Sequence, residues 1–185
     1  MRLFWAIGVP ERVRVDVEVA VAPLRERWPD LRWTDPATWH LTLAFLGEVD
    51  DGLVDSVVGS VRDAVAGSAP VEVRLQAAAG TPGGRAGIVW LPVAHTPALD
   101  DLAGTVRAAC RPLAPADESR PFRGHLTLAR IPRSVPGTGP LTRAVATAYA
   151  GPDVAWTADS VTLTASRTRP GGAAHQDVAE VHLTP

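Results

Sequence analysis

The sequence predicts an α+β fold with an internal duplication. Short apolar or alternating segments, which are typical of strands, lie among segments whose apolar residues recur with helical spacing. The order of strands and helices is repeated in the second half of the chain. The pentapeptide His-Leu-Thr-Leu-Ala also occurs twice, starting at His40 and at His125. At 185 residues, the chain is long enough for one sizeable domain or two small lobes packed together.

The first half of the chain is predicted to contain two helices among its strands. The first helix follows Pro10, and Val13, Val17 and Val21 recur at every fourth position to form one apolar face. The predicted helices span 10–28 and 50–66, and the predicted strands span 2–8, 39–46, 71–80 and 87–93. The last two strands flank a glycine-rich turn, so we expect them to pair as a hairpin.

The second half is predicted to repeat this order. Thr96 is a good N-cap for a helix that continues to about residue 111. The remaining predicted elements are a helix at 141–150 and strands at 124–131, 154–166 and 176–183. A turn containing Gly171 and Gly172 separates the last two strands.

Composition and charge exclude several classes of protein. The formal net charge is −2, so no overall basic field attracts long nucleic acids. All 18 basic residues are arginine, so no lysine is available as a Schiff base or as a P-loop phosphate ligand. The single cysteine, Cys110, precludes an internal disulfide, and we expect it to pack at a helix end. Lacking a signal peptide or a membrane-length apolar run, the protein is expected to be cytoplasmic. We also expect it to be a monomer.

The two repeated pentapeptides place the same polar groups on one face of two strands. Alternate side chains of a strand share a face, so the histidine and threonine of each copy lie opposite its leucines. Core packing explains the repeated leucines but gives no reason for repeating the histidine and threonine. If a pseudo-twofold relates the two halves, His40, Thr42, His125 and Thr127 can line one cleft.

Acid–base chemistry is the reaction class that these residues support best. Two histidines without a third ligand at suitable spacing make a poor zinc site, and no GxSxG motif indicates a serine nucleophile. An imidazole titrates near pH 6.5, so one histidine can accept a proton while the other donates one. Threonine hydroxyls and an arginine can stabilise an oxyanion. The pattern therefore predicts a metal-free reaction at phosphorus, in which the phosphate lies between His40 and His125 and these two residues transfer the protons.

Arg130 follows the second motif and suits a phosphate ligand, since a guanidinium matches phosphate geometry. Strict alternation, however, places Arg130 on the leucine face, opposite His125. It reaches the cleft only if the strand twists, bulges or ends just after Ala129. Strict alternation likewise places Phe45 on the leucine face of its strand, and this by itself favours core packing for its ring.

Together these features resemble the two-histidine phosphoesterase superfamily, which is defined by two HxTx motifs. The segments LRWTDPATWHLTLAFLGEV and FRGHLTLAR resemble the motifs of its bacterial and archaeal RNA 2′,3′-cyclic phosphodiesterases, also called 2′-5′ RNA ligases. The opening RLFWAIGVP and the C-terminal hairpin extend the resemblance over nearly the whole chain. It implies two antiparallel sheets facing a central cleft with helices outside, and residues 1–185 forming one bilobal domain of two intertwined lobes.

The resemblance also implies a reaction and a set of site residues. The enzyme would hydrolyse an RNA-terminal 2′,3′-cyclic phosphate to a 2′-phosphate with no metal or cofactor, and 2′-5′ ligation would be the reverse. His40 would protonate the departing 3′ oxygen and His125 would activate water, with the two roles exchanged for ligation. The phosphate ligands would be Thr42, Thr127 and Arg130, and Phe45 matches a family aromatic residue near the nucleoside.

His175 marks a departure from the family pattern. Relatives often carry an aromatic residue, usually tyrosine, after the C-terminal glycine-rich turn, where this chain has His175. The imidazole either replaces that contact to the nucleoside or belongs to a loop, and we favour the loop.

Two other functions are compatible with the same motifs. The protein could act on small cyclic nucleotides or other small cyclic phosphates, as other branches of the superfamily do. It could also be a non-catalytic module that binds RNA ends. Both histidines and both threonines are present, however, so the intact set favours an enzyme acting on RNA ends.

Overall fold

A computed structural model of the protein describes residues 1–76, 87–114, 121–132, 138–149, 151, 154–169 and 172–184. These residues form nine strands and four α-helices. The strands are β1 (Arg2–Gly8), β2 (Arg32–Trp33), β3 (His40–Glu48), β4 (Val71–Leu75), β5 (Ile88–Pro92), β6 (His125–Arg130), β7 (Val154–Ala158), β8 (Ser160–Arg169) and β9 (Gly172–His182). The helices are α1 (Glu11–Arg27), α2 (Val54–Ala64), α3 (Pro97–Cys110) and α4 (Thr138–Ala148).

The first sheet contains the first His-Leu-Thr-Leu-Ala motif. Its four strands run in the order β3-β1-β8-β9, and every neighbouring pair is antiparallel. The motif strand β3 lies at one edge, next to β1, and the C-terminal hairpin of β8 and β9 completes the sheet. The first sheet is therefore built from both ends of the chain.

The second sheet contains the second motif. Strands β2, β6 and β5 pair in that order and antiparallel, with the motif strand β6 in the centre. Strands β4 and β7 form a two-stranded ladder beside it. An isolated bridge between Leu75 and Val93 joins the two ladders, and the amide of Ala94 donates to the carbonyl of Arg74 at 2.9 Å. The mixed α+β class with antiparallel sheets is thus confirmed.

Two predicted strands have partners that the sequence did not indicate, because β4 also pairs with β7 and β5 also pairs with β6. The expected antiparallel pairing of 71–80 with 87–93 is present where both segments are described, since Leu75 bridges Val93 and the amide of Gln76 donates to the carbonyl of Pro92 at 2.9 Å. The predicted turn and the end of the first strand, 77–86, lie outside the described residues. The strand predicted at 154–166 is two strands that separate at Asp159, since β7 joins β4 while β8 joins β1 in the other sheet.

The helices bury their apolar faces against one core. Helix α1 buries the predicted stripe of Val13, Val17, Val21 and Leu24. Helix α3 starts at Thr96, whose hydroxyl accepts a hydrogen bond from the amide of Leu99 at 3.2 Å, as an N-cap does. No helix within the described ranges is both long and apolar enough to cross a membrane.

Candidate active site

His40 and His125 have the same local geometry in their two strands. The Nδ1 atom of His40 lies 2.8 Å from the carbonyl oxygen of Thr38, and Nδ1 of His125 lies 2.8 Å from that of Arg123. A carbonyl can only accept a hydrogen bond, so each Nδ1 carries the hydrogen. Each Nε2 is then left as the nitrogen that can exchange a proton with a substrate.

An aromatic ring from the neighbouring strand packs against each of these imidazoles. The ring of Phe4 on β1 lies 4.7 Å from that of His40, and the ring of Trp90 on β5 lies 4.4 Å from that of His125. Both histidines are half-buried. The flanking rings fix the imidazole planes and exclude water from one side of each.

His175 lies in the site with His40, on strand β9. Its ring centroid is 5.1 Å from that of His40, edge to face, and 5.2 Å from that of Phe4. The loop interpretation of His175 is therefore wrong, since the predicted strand 176–183 begins earlier, at Gly172. The register that pairs His175 with Ser166 brings this imidazole across the sheet toward the motif strand.

Burial lowers the pKa of all three histidines below the ordinary value of 6.5. Neighbouring groups then affect the pKa values of His40 and His125 differently. The pKa of His40 is lowered further by His175 and His125 and is raised by its hydrogen bond to Thr38 and by Asp177. The pKa of His125 is likewise raised by its hydrogen bond to Arg123, and it is lowered further by Arg130. The carboxylate of Asp177 thus favours protonation of His40, whereas the guanidinium of Arg130 favours the neutral form of His125.

Phe45 is 64% exposed, which makes the core packing predicted from parity wrong. The pairing of β3 with β1 explains this, because Trp5 lies opposite Ala44 and Ala6 opposite Thr42, with Leu43 left over between them. This extra residue is a β-bulge, so Leu43 and Ala44 are both buried and the alternation changes phase after them. Phe45 consequently joins the face of His40 and Thr42.

The same bulge occurs at the equivalent place in the second motif. Val89 lies opposite Ala129 and Trp90 opposite Thr127, so Leu128 is the extra residue. Leu128 and Ala129 are both buried, and Arg130 is exposed. The phase change at this bulge puts Arg130 on the face of His125 and Thr127. The charge of Arg130 also lowers the pKa of both His125 and His175. The sequence allowed Arg130 to reach the cleft through a twist, a bulge or an early end of the strand. The structure shows the bulge.

Each bulged carbonyl is bound by a side chain from outside its ladder. The guanidinium of Arg107 on α3 donates from Nε to the carbonyl of Leu43 at 2.9 Å. The hydroxyl of Thr34, after β2, donates to the carbonyls of Thr127 and Leu128 at 2.8 and 2.9 Å. Thr34 Oγ1 also accepts a 2.7 Å hydrogen bond from Nε1 of the buried Trp39. The carbonyl of Leu128 also accepts a hydrogen bond from the backbone amide of Thr34 at 2.9 Å, so the carbonyls of both bulged residues have donors from other segments.

Thr42 and Thr127 occupy equivalent places two residues after the histidines. Each is half-buried on the same face as its histidine, and the leucines between them are buried. Thr42 lies opposite Ala6 on β1, and Thr127 lies opposite Trp90 on β5. Their hydroxyls are therefore available on the imidazole side of both sheets.

Sequence patterns alone missed Asp177 and Thr164. The hydroxyl of Thr164 is 5% exposed and donates to the carboxylate of Asp177 at 3.1 Å. A further bulge, where Val178 is left over between Thr164–Asp177 and Leu163–Ala179, adjusts this part of the ladder. Asp177 could have been found from the sequence, because it lies two residues after His175 and alternate residues of a strand share a face.

The described residues contain no cluster of three or more His, Cys, Asp or Glu side chains that could hold a metal ion. Cys110 lies in the core with no exposed surface, and burial raises the pKa of its thiol to about 11. A thiol with this pKa is almost wholly protonated at neutral pH and is a poor nucleophile. The predicted packing of Cys110 at a helix end is confirmed.

Named relatives of this chain share one activity. An RNA 2′,3′-cyclic phosphodiesterase of Thermus thermophilus is 31% identical over 76% of this chain and 74% of its own length. One from Methanothermobacter thermautotrophicus is 28% identical over 71% of each chain. One from Geobacillus stearothermophilus is 36% identical over 55% of this chain, although the chain spans about a third (33%) of that relative's length.

Solved structures share the fold over nearly the full chain. The crystal structure of TT0787 of Thermus thermophilus superposes with a TM-score of 0.80 at 24% identity, covering 99% of this chain and 98% of the other. LigT of E. coli, complexed with 3′-AMP, superposes with a TM-score of 0.76 at 24% identity, covering 100% and 98%. The family model of the 2′-5′ RNA ligase superfamily matches residues 13–169. The chain therefore belongs to the 2′-5′ RNA ligase superfamily.

Proposed function

We propose that this protein is a metal-independent phosphodiesterase that opens an RNA-terminal 2′,3′-cyclic phosphate to a 2′-phosphate. The observation that carries the proposal is the pair of histidines, His40 and His125, each held through Nδ1–H with its Nε2 left for the substrate. The name shared by the curated relatives supports the cyclic phosphate of RNA as the substrate.

Charge supports the division of roles between the two histidines. Burial and the nearby Arg130 lower the pKa of His125, which favours its role as the base, so its Nε2 takes a proton from water as the water oxygen attacks phosphorus. The bond between phosphorus and the 3′ oxygen breaks, and His40 gives its proton to that oxygen. Asp177 favours the protonated form that His40 needs for this step. The products are a 2′-phosphate and a free 3′-hydroxyl, with the proton passed from water to His125 balancing the one released by His40.

The developing charge on the phosphate oxygens needs donors that are already in place. Thr42 and Thr127 present hydroxyls on the imidazole face, and Arg130 adds a full positive charge there. Donors that are fixed before the reaction stabilise a transition state without reorganising during it. We assign these three residues to the phosphate. In the reverse direction, the same groups would support 2′-5′ ligation of two RNA ends.

Phe45 and His175, on two sides of the buried Phe4 that packs against His40, offer rings to a nucleoside. The exposed ring of Phe45 lies 6.1 Å from that of Phe4, which contacts His175. Stacking of a base on an aromatic ring contributes about 1–3 kcal/mol and tolerates different bases. We assign Phe45 and His175 to the terminal nucleoside, and we propose that residues 1–185 act as one bilobal, monomeric domain in the cytoplasm.

The decisive experiment uses a short RNA that ends in a 2′,3′-cyclic phosphate, incubated with the protein in EDTA. The readout is the position of the phosphate on the product, from ³¹P NMR or from enzymes that distinguish 2′- from 3′-phosphates. A 2′-phosphate formed in EDTA, and absent with His40→Ala and His125→Ala, is the expected result.

Other outcomes lead to different functions. Turnover of 2′,3′-cyclic mononucleotides but not of RNA would make small cyclic phosphates the substrate. Binding of the RNA without product, by protein with wild-type circular dichroism, would make the protein an RNA-end binding module. Activity that is lost in EDTA and restored by a divalent cation would contradict the metal-free mechanism.

A further inference from the structure

Arg32 lies directly opposite Arg130 in the second sheet. Strand β2 pairs with β6 so that Arg32 faces Arg130 and Trp33 faces Ala129. Directly opposite residues of an antiparallel pair project from the same face, with Cβ atoms about 4.5–5.5 Å apart. The two guanidinium groups therefore share one face of the sheet.

The burial of their neighbours identifies this face as the one that carries the histidines. Ala129 has no exposed surface, and Trp33 packs against the core with its Nε1 donating to the carbonyl of Trp28 at 3.0 Å. Residues adjacent to them in the strands must point the other way. Arg32 and Arg130 are both exposed, as expected for the open side of the sheet.

Two like charges opposite each other destabilise a sheet unless an anion lies between or beside them. Among the described residues, no carboxylate forms an ion pair with either Arg32 or Arg130. Other arginines of the described chain do have such partners, for example Arg14 with Glu11 and Arg25 with Glu18. The pair is thus a preformed site for anions on an otherwise mildly acidic protein.

We propose that Arg32 binds the next phosphate of the RNA chain, on the 5′ side of the terminal nucleotide. The inference rests on the proposed function and adds a preference for oligonucleotides over mononucleotides. The terminal phosphate already has Thr42, Thr127 and Arg130 around it. Arg32 is on the edge strand, one strand farther from the centre of the sheet than Arg130. Arg130, unlike Arg32, is among the charges that lower the pKa of His125 and His175.

The test compares two substrates that differ only by one backbone phosphate and its nucleoside. One is cytidine 2′,3′-cyclic monophosphate, and the other is a dinucleotide that ends in the same cytidine cyclic phosphate. Arg32→Ala should raise KM for the dinucleotide about fivefold or more and leave kcat unchanged, as expected for loss of one partly exposed charged contact. KM for the mononucleotide should stay within about twofold of wild type.

Salt dependence gives a second readout of the same contact. Loss of one phosphate contact should reduce the slope of log KM against log salt concentration by about 0.7 for the dinucleotide only. Arg62→Ala, on the exposed side of α2, removes the same charge elsewhere and is the matched control. It should change neither KM nor the slope for either substrate.

Three results would overturn the proposal. An equal rise in KM for both substrates in Arg32→Ala would mean that Arg32 binds the terminal phosphate. An unchanged KM for both substrates would mean that Arg32 binds no phosphate. A matching loss in Arg62→Ala would reduce the effect to overall charge. If neither substrate is turned over by the wild type, the proposed function fails. In that case, calorimetry can still compare how tightly wild type and Arg32→Ala bind the 2′-phosphate products of the two substrates. A loss of affinity for the dinucleotide product alone would support the role of Arg32.

Discussion

The two motif histidines are equivalent in geometry but lie in different electric fields. Each imidazole is fixed by a backbone carbonyl two residues earlier and by one aromatic ring, yet Asp177 lies near His40 and Arg130 lies near His125. The internal symmetry of the fold would allow either histidine to be the acid. Asp177 and Arg130, which lie outside the repeated pentapeptide, differ in charge, and in the proposed mechanism they favour His40 as the acid and His125 as the base.

Replacing either histidine should remove one half of the proton transfer. We expect His40→Ala and His125→Ala each to lower kcat by about 10²–10⁴-fold, and the double variant to be little worse than either single variant. Steady-state kinetics on the cyclic-phosphate RNA measure this. His95→Ala, an exposed histidine paired with Asp100, is the control and should retain full activity. Additive losses would indicate that the two residues do not act in one step.

Replacing Asp177 should shift one limb of the pH profile. Burial and the nearby His175 and His125 lower the pKa of His40, and Asp177 raises it, so Asp177→Asn should lower this pKa further. His40 must be protonated to donate, so kcat/KM should begin to fall at a lower pH in the variant. The acidic limb, which depends on His125 beside Arg130, should not move.

The pH profiles of kcat/KM for wild type and Asp177→Asn check this prediction. Asp55→Asn on α2 is the control, because its exposed first-turn carboxylate lies on a different element. A shift of the acidic limb instead would assign the base to His40 and the acid to His125.

The β-bulge is the element that brings Phe45 and Arg130 to the faces that carry the motif histidines. Without the extra residue, Phe45 and Arg130 would continue the leucine face and point into the core. Leu43 and Leu128 are the extra residues, and Arg107 and Thr34 donate hydrogen bonds to their carbonyls. The two strands thus change phase at the same point of the repeated motif.

Removing the hydroxyl of Thr34 should loosen the second bulge. Thr34→Val takes the side-chain donor from the carbonyls of Thr127 and Leu128 and leaves the buried Nε1 of Trp39 without its acceptor. We expect a loss of about 1–3 kcal/mol in the free energy of unfolding. We also expect a higher KM, since Arg130 follows the bulge, and Thr34→Ser should restore both.

A double-mutant cycle separates positioning from general stability. If Thr34 acts through Arg130, the effect of Thr34→Val on KM should disappear in the Arg130→Ala background. Thr157→Val, at an exposed position of β7, is the control for the chemical change. An unchanged effect on KM in the Arg130→Ala background would show that the bulge does not act through this guanidinium.

The whole molecule should lose stability as the pH falls. Burial lowers the pKa of His40, His125 and His175 in the folded state, whereas an unfolded chain has histidines near pH 6.5. Around and below pH 6.5 the unfolded chain therefore binds more protons. The stabilisation from these groups is present above this pH and is lost as the pH falls through the folded values.

Urea denaturation between about pH 5 and pH 7.5 measures this dependence. A variant with all three histidines replaced by asparagine should show a shallower fall in the free energy of unfolding than wild type. Replacing the exposed His95 and His182 instead should leave the slope unchanged. A slope that does not depend on the three site histidines would assign the pH dependence to other groups.

The sequence by itself determined the fold class, the family and the strand faces on which the four motif residues lie. Those features depend on local pattern, because alternation alone places His40 with Thr42 and His125 with Thr127 on faces opposite buried leucines. The apolar stripe of α1 and the N-cap of α3 could likewise be predicted, since both arise from contacts within one segment.

Only the tertiary structure decided how strands pair and which other side chains reach the site. The partner of β4, the break at Asp159 and the strand position of His175 depend on pairing between distant segments, which local sequence does not encode. The phase change that exposes Phe45 and Arg130 depends on a bulge in each motif strand, which is set by pairing with a strand distant in sequence. Because one extra residue reverses the face of everything after it, strict alternation predicted the wrong side for both.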